Sequence, residues 1–356
     1  MARDFLIIGG GIAGIAAAAE LSKLGSVTLI EAEATLAHHA SSRSAALYEP
    51  GYGLPAVLAL TVASGAALQA EGVLSPRGLL LVASAEEQAA FEAECAGSDF
   101  APISRDAARA LVPILGDNVA FAARSDRAWD IDTDRLIQSY ARAARSRGAD
   151  LLTAAPAQAI ARTASGWRVE TPKGSFEAAR LVNAAGPWAD RVAEMAGLKP
   201  KGLTPYRRSM ARIPAPAGLD TRAWPMLFGA GESWYAKPDA GALIVSPAEE
   251  HATEPHDAWP EDMVLAEGLA RYEAMVSEPV TRLLASWAGL RTFAPDRVLL
   301  VGPDPDDAGF LWSAGQGGYG FQTAPAAAAL LAALAAGTAP ALDADTVAAL
   351  APARFG

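Results

Sequence analysis

The sequence predicts an α/β fold in two lobes, and three observations predict it. The chain opens on an apolar run, a glycine cluster, an alanine-rich segment of helical length and a second apolar run, all within residues 5–31. It closes on another strand, glycine turn and helix, at 310–336. Between these ends, over 203–290, prolines and tryptophans become frequent and short runs alternate, the texture of antiparallel strands. A length of 356 residues gives room for two lobes, and a hydrophobic content of 51% gives each a core.

The opening unit is the most specific. Gly9, Gly11 and Gly14 fill the template G-x-G-x-x-G between two strands. The first glycine allows a tight turn, the second lets backbone approach a pyrophosphate, and the third lets helix pack on strand. Phosphates then meet the positive end of the helix and its unpaired amides, at Ile12 and Ala13. Glu31 closes the unit where a carboxylate accepts hydrogen bonds from ribose hydroxyls. This is a Rossmann-like dinucleotide unit.

The loop 38–53 follows, where a nicotinamide enzyme would begin another helix–strand repeat. Ser41, Ser42, Arg43 and Ser44 there offer hydroxyl and guanidinium donors for a second phosphate contact. His38 and His39 have no carboxylate or cysteine at metal-ligand spacing in the sequence, so no metal site is expected.

Helices are expected at 54–71, 86–96, 105–111 and 136–147, the last stopped by Gly148, with a strand at 79–82. A small meander should occupy 157–162, 167–171 and 175–178. The run 180–185 reads as a buried strand ending in small residues at Ala185 and Gly186, where chain and ligand can come close. The second lobe, on a mixed or antiparallel sheet, should hold strands at 208–213, 233–237 and 242–245 and helices at 263–275 and 279–287. Strands at 298–301 and 310–313, a glycine turn at 315–320 and a helix at 323–336 end the chain. Glycine-rich turns at both ends suit one long ligand touching both, which favours a flavin dinucleotide over a nicotinamide one. The expected division is 1–75, 148–202 and 288–356 for the dinucleotide lobe, and 76–147 with 203–287 for the substrate lobe.

A net charge of -11 argues against nucleic acid or anionic membrane surfaces as partners. Cys95 is the sole cysteine, so no internal disulfide forms and a reducing compartment is allowed. The apolar stretch 5–19 carries the glycine spacing rather than a leader pattern, and 324–336 is too short to span a membrane and contains Pro325. A cytoplasmic location is the expectation.

Nearly end to end, the chain resembles the flavoenzymes of the D-amino acid oxidase and glycine oxidase superfamily, and within it the bacterial D-arginine dehydrogenases. The resemblance is carried by LIIGGGIAGIAAAAELS, SSRSAALY, LLSPRG, DIDTD, LVNAAGPWAD, PYRRS, WPML, SWYAKPDAG, WAGLRTF and QGGYGFQT, in the family's order. It implies non-covalent FAD and oxidation of the Cα–N bond of an amino acid, with hydrolysis of the imine to a 2-oxo acid and ammonia. It implies that Gly9, Gly11, Ile12, Ala13, Gly14 and Glu31 hold the ADP half of FAD. Ser42, Arg43, Ser44 and Ala45 then lie near the pyrophosphate and ring. Ala185 and Gly186 sit on the return strand, while Gly315, Gly317, Gly318, Tyr319, Gly320, Gln322 and Thr323 border the flavin. A related covalent link uses a cysteine in the C-terminal half, a place Cys95 does not occupy.

By the same resemblance, Arg208 and Arg291 grip the substrate carboxylate, with Tyr52, Tyr235 and the backbone of Gly318 beside it. Planar guanidinium forks suit that task. Arg207 adjoins Arg208 and competes with it for the role. No histidine or carboxylate stands as a committed base, and water helped by Tyr52 or Gln322 takes that place. Two positions depart from the D-arginine pattern. Leu79 stands where an acid would pair with a guanidinium, and Leu47 replaces the histidine after RSAA. With Leu81 they form an apolar wall, so apolar or aromatic D-amino acids are expected to outrun D-arginine and D-lysine. The alternative substrate is a secondary amine: sarcosine, another N-methyl amino acid or proline. The electron acceptor, oxygen or a quinone-type compound, is left open by the residues.

Overall fold

The computed structural model describes residues 2–356. Two large sheets organise the chain. At the centre of the first, Arg3–Ile8 pairs in parallel with Val27–Ile30 on one side and Gly174–Asn183 on the other. Asp150–Leu152 extends it beyond Val27–Ile30, and Phe310–Ala314 beyond Gly174–Asn183. Strands buried on both faces read as continuous apolar runs, and Phe5 to Ile8 are all buried. Phe5 and Ile7 face one core, shared with the helices Ile12–Leu21, Thr133–Ser146 and Gly320–Ala336. Leu6 and Ile8 face another, with Trp167, Phe310 and Trp312.

Helices Ile12–Leu21 and Gly320–Ala336 are alanine-rich, which lets their backbones come close. A Cβ on Gly320 would lie 3.4 Å from Ile12 Cγ2. The glycine turns at the two ends of the chain therefore meet.

The second sheet has nine strands and is mixed. Its long pair is Thr204–Pro214 against Ala285–Phe293, antiparallel, with Tyr206 opposite Arg291 and Arg208 opposite Gly289. Ala242–Ser246, Tyr235–Asp239 and Met226–Gly229 follow in antiparallel order, and Leu79–Ala83 joins Met226–Gly229 in parallel. A three-stranded sheet of Leu47–Tyr48, Trp129–Ile131 and Leu74–Pro76 completes the set.

Three expectations are corrected. The segment 279–287 is not a helix. Its second half begins the strand Ala285–Phe293, whose nine-residue pairing with Thr204–Pro214 overrides local helical character. That strand lies whole in the second sheet, so the division expected at 288 cuts through it. Helix Thr133–Ser146, expected in the substrate lobe, buries Leu136, Ile137, Tyr140, Ala141 and Ala144 in the core of the first helix. The strands read at 175–178 and 180–185 are one, Gly174–Asn183. Among the described residues, no helix is long and apolar enough to cross a membrane.

Candidate cofactor and substrate site

A cavity of about 510 Å³ lies between the two sheets, walled by both chain ends, the loop after Glu31 and the strands carrying Arg208 and Arg291. Gly9, Gly11, Ile12, Ala13, Glu31, Arg43, Ser44, Ala45, Ala185, Gly186, Gly317, Gly318 and Gly320 all line it.

At the end formed by the opening unit, the glycines leave no room for side chains. Gly9 has φ +110°, and a Cβ there would lie 2.2 Å from Ala184 O. A Cβ on Gly14 would lie 1.9 Å from Gly9 O, so helix and strand touch there. Helix Ile12–Leu21 has no side-chain cap on its N-cap residue, Gly11. Glu31 is buried, its Oε2 accepting from Gly10 N at 2.6 Å and its Oε1 from Glu33 N at 2.8 Å.

Two expected phosphate donors are placed otherwise. Ser42 is exposed and turns its hydroxyl to the carbonyls of His38 and His39. Ser41, expected among the same donors, does stand in the wall, its Oγ accepting from Ile12 N at 3.0 Å. The Arg43 guanidinium is spent on Ala258 O, Ala288 O and Asp257, which ties the loop to the second sheet. Asp257 also faces His38 and His39 at 3.7 and 3.6 Å, while Glu33 Oε1 lies 3.0 Å from His39 Nε2. Ligand atoms of Glu33, His38 and His39 fall within 4.8 Å of one another. Asp257 arrives from the loop after His251–Ala252, far off in sequence, whereas Glu33 stands only five residues before His38. His39 thus faces a carboxylate through each ring nitrogen, and Asp257 joins this group to Arg43.

The other end is cationic and aromatic. Arg291 is enclosed by protein, and the surface left to it is cavity wall. Among the described residues its guanidinium has no hydrogen bond or ion pair. Burial alone would lower its pKa, but Tyr235, Tyr52, Glu250 and Tyr319 outweigh burial and hold it above its ordinary value. Arg208 is buried, with Nε donating to Glu249 O at 2.9 Å and Nη2 to Glu250 at 3.3 Å. Burial and then the neighbouring Arg291 lower its pKa, opposed by Tyr235, Tyr52 and Glu250. Arg207, one residue earlier, points to the other face of the strand and pairs with Glu261. Tyr52 packs on Tyr319 at 5.2 Å, and Tyr319 on Phe293 at 6.2 Å. Burial, the largest effect, raises the Tyr52 hydroxyl pKa, so it stays a donor at neutral pH.

Leu79 and Leu47 pack with Met210, Met226 and Tyr235. Met210 also lines the cavity, which joins that cluster to the site. Leu81 shares the strand face of Leu79 but lies one cluster further back, with Phe91, Ala123 and Ala230. Gln322 is buried and engaged with the 49–52 loop, Oε1 accepting from Glu49 N at 3.1 Å and Nε2 donating to Tyr52 O at 3.4 Å. It positions that loop rather than facing the cavity. Thr323 donates to Tyr319 O within its own helix, and Gly315 turns at φ +73° against Leu203. Cys95 lies outside the wall.

Local sequence missed Met210, Lys237 and Glu49. Lys237 is buried, with Nζ 2.8 Å from Asp130 and donating to Ala45 O at 2.6 Å, so it fixes the loop carrying Ser44 and Ala45. Its place after a Trp-Tyr strand was the only available signal.

Two buried polar groups on the wall have no partner, Thr292 Oγ1 and Gln316 Nε2. Leaving such groups unpaired is costly. With the glycine cradle at the helix start, they fit a long ligand carrying phosphates at one end and a polar ring at the other. The cleft between the two sheets suits a dinucleotide of the flavin type. Over residues 4–334 the chain matches the FAD dependent oxidoreductase (DAO) family, and it belongs to that family.

Among characterised proteins, it is 28% identical to hydrogen cyanide synthase subunit HcnC of Pseudomonas aeruginosa over 55% of this chain and 46% of that one. It is 27% identical to human mitochondrial dimethylglycine dehydrogenase over 72% of this chain and 32% of that one. The chain thus spans less than half the length of these relatives. It is also 27% identical to the glycine oxidase of Pseudomonas aeruginosa, over 96% of this chain and 97% of that one. Among solved structures, glycine oxidase from Geobacillus kaustophilus superposes with a TM-score of 0.82 at 24% identity, covering 97% of each chain.

Proposed function

We propose that the protein oxidises the Cα–N bond of D-amino acids, whose imines hydrolyse to 2-oxo acids and ammonia. Below neutral pH, apolar or aromatic side chains are preferred over D-arginine and D-lysine. The observation that carries this reading is the partnerless guanidinium of Arg291 on the cavity wall beside Gly318. A buried cation without a counter-ion calls for one, and an amino acid's carboxylate is that anion.

In this reading Gly9, Gly11, Ile12, Ala13, Gly14, Glu31 and Ser41 hold the ADP half of FAD, and the turn 315–320 borders its ring. The cofactor, bound non-covalently, supplies the hydride acceptor. The chain supplies orientation, which is most of what such a transfer needs. Arg291 and Arg208 grip the carboxylate, and Tyr52 and Tyr235 donate to it. The Tyr52–Tyr319–Phe293 stack screens the site from water. Leu47 and Leu79 take the side chain, and no acid at position 79 receives a guanidinium.

A second reading keeps the clamp but takes a secondary amine such as sarcosine or proline. The likeness to human dimethylglycine dehydrogenase, named for an N-methylated amino acid, favours the N-methyl members of this class. Anaerobic bleaching of the yellow protein, below neutral pH, against D-, L- and N-methyl amino acids separates the two. Faster bleaching by D-leucine, D-methionine or D-phenylalanine than by sarcosine is expected. Faster bleaching by sarcosine selects the second reading, and D-arginine ahead of D-leucine refutes the apolar pocket.

A further inference from the structure

The side-chain end of the cavity is not wholly apolar. Along the short strand Leu47–Tyr48, residues alternate between faces. Tyr48 turns into the helical core, where a Cβ on Gly65 would lie 2.4 Å from its hydroxyl. Leu47 packs beside Leu79, Met210 and Tyr235, and Glu49 follows Tyr48 at the strand's end.

Glu49 is half-buried, its main chain pinned by Gln322. Among the described residues its carboxyl has no hydrogen bond and no ion pair. The charged and titratable groups that face it are Asp99, after helix Gln88–Ala96, Glu232, in the turn Ala230–Glu232, and Tyr52 on its own loop. Asp99 is occupied by Ser125 Oγ at 2.9 Å and by Arg127 at 3.6 Å. Beyond Tyr52 lie Arg291 and Arg208.

A second observation marks this space as a ligand's. Tyr235 is 4% exposed, yet its hydroxyl has only the Met210 sulfur for a partner, at 3.5 Å. With the free Arg291 guanidinium, it leaves the pocket with open polar groups at the arginine end, while Glu49 leaves a carboxyl open at the other.

We propose that Glu49 is a specificity-determining residue, whose carboxylate receives the cationic or hydrogen-bond-donating terminus of a side chain long enough to pass Leu47 and Leu79. The inference rests on the amino-acid reading above and adds ω-amino D-amino acids as a second substrate class. Glu49 supplies, from the neighbouring loop, the acid that position 79 lacks. Burial, then Asp99 and Glu232, hold its carboxyl up to about 7. Below that the carboxyl is neutral and apolar side chains prevail. Above it the anion is present, while a side-chain ammonium remains protonated.

The test compares D-lysine with its neutral isostere D-norleucine in the flavin-containing enzyme. Both need the same α-amine ionisation, so the ratio of their kcat/KM values isolates the side chain. In the wild type the ratio should rise about tenfold or more as pH passes from below to above neutrality, the scale of one charge-assisted hydrogen bond. In Glu49→Gln it should stay low and flat. A flat wild-type ratio, or a rise that persists in Glu49→Gln, overturns the inference. The wild-type comparison decides alone if that variant does not fold. Bleaching by neither compound overturns the amino-acid reading and this inference with it, whereas turnover of both at a constant ratio overturns this inference only.

Discussion

A methyl group on the α-carbon of Gly318 would lie 3.2 Å from both Cζ and Nη1 of Arg291. The guanidinium therefore rests on the backbone of the last glycine turn, and only a residue without a side chain leaves it there. Gly318 is not in the left-handed region, so alanine fits its backbone. Gly318→Ala should push Arg291 aside by tenths of an ångström. Amino-acid KM should rise by roughly tenfold, because a clamp tolerates little displacement, while the flavin spectrum is kept. An unchanged KM would mean that Arg291 does not hold the substrate.

Neighbouring arginines should differ. Arg208 lines the cavity, whereas Arg207 pairs with Glu261 on the opposite face. Arg208→Ala should lower kcat/KM by about 10- to 100-fold, the worth of charge-assisted hydrogen bonds. Arg207→Ala should change it by no more than about threefold, since Arg207 does not line the cavity. Equal losses in steady-state assays would remove Arg208 from the clamp.

Cofactor retention tests the opening turn. A Cβ on Gly14 would lie 1.9 Å from Gly9 O, so Gly14→Ala must separate helix from strand. The variant should purify folded by circular dichroism but without the visible flavin bands. Gly51→Ala, which meets nothing within 4 Å, is the control and should stay yellow. A yellow Gly14→Ala protein would detach the turn from cofactor binding.

The Glu49 carboxyl also sets a pH dependence of stability. Its pKa is raised from an ordinary 4.5 to about 7 by burial and by Asp99 and Glu232. Between those values the folded chain holds a proton that the unfolded chain has released. Stability therefore falls as pH rises through this window and levels off above it. The loss is at most on the order of 3 kcal/mol, and less with solvent screening. Glu49→Gln escapes it, so its Tm advantage over the wild type should grow from acid to neutral pH. A gap independent of pH would show that Glu49 ionises freely.

Patterns local in the chain were legible. The strand, glycine turn, helix and acid from Phe5 to Glu31 announced themselves because every contact in the unit lies between near neighbours. The segment 279–287 misled for the opposite reason: its partner strand lies some eighty residues earlier. Ser42 and Arg43 had the right chemistry for phosphate, but the loop's path turned one outward and tied the other to Asp257.

By itself the sequence determined a dinucleotide unit at the start, a matching glycine turn at the end and a chain long enough for two lobes. Backbone-permissive glycines and apolar runs need no distant partner to declare their role. Only the tertiary structure decided that Arg208 rather than Arg207 meets the cavity, and that of the loop serines Ser41 lines it while Ser42 turns outward. Those outcomes depend on sheet register and loop path, which a one-residue shift would invert while leaving local composition unchanged.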